Sequence, residues 1–111
     1  LFRSVAIVSH SSGSRMSRTY MVTNPVDVSA WVALSLTQGD TFDGIKAPVF
    51  DLYGANDLPH VTNTAALRKK SLTNKKSKQL AITEANHFFA DSEDHMIQQV
   101  KPYLDMIKQI K

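Results

Sequence analysis

Four short apolar runs, each broken off by small or turn-forming residues, restrict most strongly what this chain can fold into. They are Val5 to Val8, Ala30 to Leu36, Pro48 to Tyr53 and Gln79 to Thr83. Periodicity alone does not separate such runs from buried helix, so length and the flanking Gly, Pro and Asn residues decide. All four are short and end near turn residues, which predicts strands. The first is rich in β-branched residues and free of charge, as a buried strand should be.

Helical patterns lie between and after these runs. Ser14 to Met21 offers Met16, Tyr20 and Met21 on a short helix, with Asn24-Pro25 as its stop. Residues 60–72 set Val61, Ala65, Leu67 and Leu72 among polar neighbours, which predicts one amphipathic helix. In the last segment Met96, Val100, Leu104 and Ile107 fall on one helical face, a packing stripe. Asp91 or Ser92 suits its N-cap, and Glu93 and Asp94 follow where the helix dipole favours negative charge. Pro102 lies inside this helix and is expected to kink it or split off its first turn. Strands alternating with helices predict an α/β fold of about four mostly parallel strands, with flanking helices on both faces. Thr37 to Lys46 reads as a loop instead of a boundary, so residues 1–111 form a single domain.

Composition removes several classes of function. The chain has no cysteine, which excludes disulfides, thiol catalysis and cysteine-held metals. His60 and His95 have no partner at a metal-ligand spacing, so no metal is expected. No apolar run approaches the ~20 residues that span a bilayer, and no secretory signal pattern is present. The formal net charge is +3, with a cluster at Arg68, Lys69, Lys70, Lys75, Lys76 and Lys78. A nucleic-acid surface would interleave such residues with aromatics or set them along a recognition helix. This cluster does neither and reads as a solvated helix end and loop. Binding of an acidic surface is the remaining alternative, with an affinity that falls steeply with salt.

Three segments carry the residue types of a chemical site. The first strand runs into Ser9-His10-Ser11-Ser12-Gly13, and a helix follows. Strand, tight turn and helix is the setting of a nucleophile elbow, with Ser11 at its centre. The same five residues also suit a plain Ser/Gly-rich loop. The third strand ends before Asp57, at the sheet edge where open α/β folds bind ligands; alone, Asp57 suits an Asx-turn or a helix cap better than a catalytic acid. The fourth strand ends before His87, which has Phe88 and Phe89 behind it. A parallel sheet would bring all three turns to one rim. A serine hydroxyl is a weak nucleophile until a neutral imidazole takes its proton, and a carboxylate orients that imidazole. The chain order Ser, Asp, His is the order of α/β-hydrolases.

The segments VSHSSGS, APVFDLYGANDLPHV and ITEANHFF resemble the nucleophile, acid and histidine segments of the α/β-hydrolase fold superfamily. The last two are similar to those of little-characterised bacterial hydrolase-like proteins, and Ser9 stands where the elbow usually has glycine. The resemblance implies a partial α/β-hydrolase fold, the C-terminal half, with Ser11 as nucleophile, Asp57 as acid and His87 as base. The backbone N–H of Ser12 becomes one oxyanion donor; the side chains of His10 and Ser12, beside the nucleophile, have room to line the pocket and are assigned no role. It implies a serine esterase acting on a small ester or acyl substrate without cofactor, in a soluble bacterial protein of cytoplasm or periplasm.

In that family a second oxyanion donor comes from the loop after an earlier strand, and loss of one donor costs ~10²–10³ in rate. The chain by itself is therefore expected to be a poor catalyst. Its first strand, Val5 to Val8, should have an open edge, covered by a second copy in a homodimer or by an N-terminal segment. A non-catalytic α/β-hydrolase-like binding or assembly module is the alternative reading.

Overall fold

A computed structural model describes residues 5–24, 28–36 and 40–109. Four strands, β1 (Ala6–His10), β2 (Ala30–Leu34), β3 (Val49–Gly54) and β4 (Lys78–Ile82), form one sheet in the order β1-β2-β3-β4. Every pairing is parallel, with Val8 opposite Val32, Leu34 opposite Leu52 and Gly54 opposite Ile82. The α/β class expected from the apolar runs is the class observed.

Alternation along the strands divides the core into two layers. Trp31, Ala33 and Val49 face one side, where they pack with Met21, Leu36, Phe42 and Ile45. Ala30, Val32, Leu34, Phe50 and Leu52 face the other, against Phe89 and Tyr103. Strands laid down in chain order with crossovers of one hand place the intervening helices on the same face. Accordingly α1 (Ser12–Thr23) supplies Met21 to the first layer. The last helix, α4 (Glu93–Gln109), follows β4 and covers the second layer with Met96, Val100, Leu104 and Ile107. These four are half-buried, so each contributes less than the ~1.5–3 kcal/mol of a fully buried apolar side chain.

Several local expectations change. The helix expected over residues 60–72 is two, α2 (Pro59–Thr62) and α3 (Ala65–Ser71), broken at Asn63 and Thr64. The Thr64 hydroxyl bonds the His60 carbonyl at 2.7 Å, competing with the helical ladder. Helix α4 runs through Pro102 without splitting; the proline's missing N–H affects a single bond of the ladder. Ser92 immediately precedes α4 and its carbonyl accepts the Met96 N–H, the N-cap position expected for it. Pro25 and residues 37–39 of the expected loop lie outside the described residues; residues 40–46 form no strand or helix, yet Phe42 and Ile45 are buried.

The basic cluster is not uniformly solvated. Lys69, Lys70, Lys75, Lys76 and Lys78 are exposed, but Arg68 is fully buried. On α3 it faces the sheet, and its Nε donates to Asp51 Oδ2 on β3 at 2.9 Å. A cation on the inner face of a short helix is buried with its counter-ion, whatever the charge of its sequence neighbours.

Candidate active site

Each strand contributes one side chain to a common rim at the C-terminal end of the sheet. The ladder continues one residue past the strands: the Ser11 N–H donates to the Leu34 carbonyl and the Ser35 N–H to the Leu52 carbonyl, both at 2.9 Å. There the backbone turns sharply. Ser11 has φ 57° and ψ −123°, and Ser35 has φ 55°. Such conformations cost roughly 1–3 kcal/mol in non-glycine residues and persist only where the surroundings hold them. At Ser11 the hold comes from α1, whose Ser14 and Arg15 N–H groups donate to the Ser11 carbonyl.

Ser9 is absorbed by the packing under this turn. Its Oγ accepts the Trp31 indole N–H at 2.9 Å and donates to Ser14 Oγ at 3.1 Å. Ser14 donates in turn to the Leu34 carbonyl at 3.3 Å.

The acid and histidine turns are tied to each other. A Cβ on Gly54 would stand 2.1 Å from the Ala85 carbonyl oxygen, so only glycine allows the two segments to approach. That approach lets the Asn56 N–H reach the Ala85 carbonyl at 3.0 Å. Beyond it, Asn86 Oδ1 accepts the N–H groups of Phe88 and Ala90. Phe89 then takes φ 54°. The two aromatics part: Phe89 is buried, while Phe88 is 74% exposed beside the His87 ring.

The three side chains named from sequence come together. Ser11 Oγ lies 2.8 Å from His87 Nε2, and His87 Nδ1 lies 2.7 Å from Asp57 Oδ1. An ionised carboxylate only accepts, so Nδ1 carries the ring proton and Nε2 is free to accept the Ser11 proton. Asp57 Oδ1 also accepts the Leu58 N–H at 2.7 Å, so the bond to His87 and the turn bond coexist in one residue. Asp57 and His87 are buried, whereas Ser11 is half-buried and reachable. Ser12 is the first residue of α1, and its N–H has no intrahelical acceptor. His60 and His95 are both exposed.

Ser35 falls inside the apolar run Ala30 to Leu36 and is not among the site residues expected from sequence. The strand ends at Leu34, and the buried Ser35 Oγ donates to Asp57 Oδ2 at 2.5 Å. The one available signal was a lone hydroxyl near the end of the run Ala30 to Leu36. His10, expected only to line the pocket, places Nε2 2.6 Å from the His87 carbonyl oxygen.

These features define an α/β protein with a Ser–His–Asp hydrogen-bonded chain at the C-terminal rim of a parallel sheet. Neither the models of known protein families nor the curated proteins include a match to this chain. Chemically, the arrangement can remove a proton from a serine hydroxyl and return it to a leaving group.

Proposed function

We propose that this chain is a serine hydrolase of the α/β-hydrolase type, cleaving a carboxylic ester or related acyl substrate through an acyl-enzyme. The observation that carries the reading is the unbroken hydrogen-bond chain from Ser11 Oγ through His87 to Asp57, at 2.8 and 2.7 Å. The strained φ of 57° at Ser11, between a parallel strand and a helix start, supports it.

In this mechanism Ser11 Oγ attacks the acyl carbon while its proton passes to His87 Nε2. The Ser12 N–H donates to the oxygen that becomes negative in the tetrahedral intermediate. His87 then gives its proton to the departing alkoxide, leaving the acyl group on Ser11. A water, deprotonated by the same Nε2, attacks that ester, and Ser11 recovers its proton from His87 as the acid departs. Asp57 keeps its charge throughout, holding the imidazole in one tautomer and stabilising the imidazolium.

Partner pairing along β1 belongs to the same proposal. β1 has β2 as its sheet neighbour, and Val5 and Val8 are exposed at 47% and 51%. An apolar groove runs beside it between Val8, Leu34 and the α4 residues Met96, Ile97, Val100 and Leu104. A second copy or a preceding segment would cover this edge. Sedimentation of the chain as a stable, unaggregated monomer would remove it.

The test of the catalytic reading is covalent labelling by a fluorophosphonate. Ser11 should be labelled, Ser11→Ala should abolish labelling, and His87→Ala should slow it strongly. Labelling that survives Ser11→Ala puts the nucleophile elsewhere. A folded chain that takes no label favours a binding module on the same scaffold.

A further inference from the structure

The geometry points to His10 and Ser35 as positioning residues that together clamp His87 in register with Ser11 and Asp57. This rests on the hydrolase reading of the site and adds to it two side chains that would not touch substrate.

His87 belongs to the segment between β4 and α4, which has no helix or strand of its own. Its orientation therefore comes from individual bonds and not from a regular element. The segment is held to the β3 turn at the Ala85 carbonyl and braced by the Asn86 side chain, but neither ties it to the strand that carries Ser11. The His87 carbonyl supplies that tie. It accepts a hydrogen bond from His10 Nε2 at 2.6 Å. A carbonyl oxygen only accepts, so Nε2 of His10 carries a proton, and that donor is present whether the ring is neutral or charged.

The location of His10 is what makes this bond informative. It is the last residue of β1, directly before Ser11. The base is thus referenced to the strand that carries the nucleophile, and relative movement of the two turns would break the bond. The rings of His10 and His87 are also in contact, with centroids 5.1 Å apart, and Phe89 lies edge-on to His10 at 6.2 Å.

Ser35 acts on the other side. It is fully buried, and its hydroxyl stands 2.5 Å from Asp57 Oδ2 and 3.5 Å from the His87 carbonyl oxygen. One hydroxyl has one proton, and the shorter contact takes it. Asp57 Oδ1 is already engaged by Leu58 and His87. With Oδ2 engaged as well, the carboxylate cannot rotate without leaving a buried acceptor unpaired. The left-handed φ of 55° at Ser35 is what turns its hydroxyl to this point. Base and acid are then each held by one bond, from His10 at the end of β1 and from Ser35 just past the end of β2.

The test compares the full chain with His10→Ala, His10→Gln, Ser35→Ala and Ser35→Gly. It reads the fluorophosphonate labelling rate, the thermal midpoint, and the NMR signal of the His87 Nδ1 proton, which moves downfield when bonded to a carboxylate. His10→Ala and Ser35→Ala should label roughly tenfold more slowly, as expected for small misplacement of a reacting group. Their Nδ1 proton signal should broaden or vanish while the fold persists. His10→Gln keeps a donor at the same reach and should restore rate and signal. Ser35→Gly relaxes the backbone but lacks the hydroxyl, and should stay slow.

Wild-type rate and an intact signal in His10→Ala and Ser35→Ala overturn the clamp. Recovery in Ser35→Gly also overturns the Ser35 half, by assigning the defect to backbone strain. Should His10→Ala not fold, His10→Gln decides: loss of the signal in that folded variant counts against the proposal. If the wild type takes no label, the hydrolase reading falls, while the Nδ1 proton still decides the clamp.

Discussion

Two carboxylates on and just beyond β3, Asp51 and Asp57, are both buried and both paired with a basic side chain, yet they are built differently. Asp51 meets Arg68 Nε at 2.9 Å and Gln79 Nε2 at 2.8 Å, with both bonds arriving at Oδ2. Its Oδ1, and Nη2 of Arg68, are buried without a partner. Asp57 instead has both oxygens engaged, Oδ1 by Leu58 and His87 and Oδ2 by Ser35. Burial pushes the Asp51 carboxyl up, and the Arg68 charge and the Gln79 and Arg68 hydrogen bonds only partly offset this. The half of that carboxylate without a partner explains why desolvation prevails.

The difference separates attachment from orientation. The Asp51–Arg68 pair fastens α3 to the sheet, where a hydrophobic pair of equal volume would serve as well. Arg68 Nη1 adds bonds to the Val61 carbonyl and Thr64 Oγ1, which joins α2 to the same anchor. Asp57 carries bonds that fix direction: both of its oxygens are held, and through Oδ1 so is the His87 ring.

The largest effect should come from Asp57→Asn, which preserves shape. An amide can donate to Nδ1, forcing the ring into the tautomer that cannot accept from Ser11. Fluorophosphonate labelling should slow by ~10³–10⁴ with little change in unfolding midpoint. A loss of stability matching that of the Asp51 pair variants would erase the contrast between the two carboxylates.

Next in size, Arg68→Met leaves the Asp51 charge buried alone and should destabilise by ~3–5 kcal/mol in urea unfolding. Molecules that remain folded should label at the wild-type rate. Adding Asp51→Leu should recover most or all of that stability, because the pair as a whole adds little net. A double variant as unstable as the single would mean that packing, not the stranded charge, was lost.

Gly54→Ala tests the join between the two regions. Forcing Ala85 away from β3 should cost ~1–3 kcal/mol, as overpacking typically does. Labelling should fall as well, because Asn56 and the His87 segment lose their shared register. Normal labelling in a destabilised Gly54→Ala protein would show that the His87 segment is held independently of the β3 turn.

The smallest effect is a pH dependence. A carboxyl whose folded-state pKa is raised binds its proton more tightly folded than unfolded. Its contribution is fully present below the unfolded value of ~3.9 and is lost as pH rises through the folded one. Relative to Asp51→Asn, the wild type should therefore gain stability as pH falls from neutral towards the ordinary carboxylate range. The reverse slope, from unfolding curves of both proteins, would mean that Arg68 outweighs burial.

Much of this was open to view in the residue order. Apolar runs of strand length ending in turn residues pointed to the α/β class, and β2 and β3 are buried as that signature requires. The first run, expected to be buried as well, forms the sheet's edge with Val5 and Val8 exposed. Ser11, Asp57 and His87 could be named since each follows such a run, and a parallel sheet brings strand ends to one rim. The order of strands in the sheet, the break between α2 and α3, the depth of Arg68 and the contacts of Ser35 and His10 were decided only by the tertiary structure. Arg68 sits among lysines of like charge, and Ser35 looked like one more strand position; nothing local distinguishes them. A side chain's partner across the sheet is set by register and helix placement, which depend on the whole core closing at once.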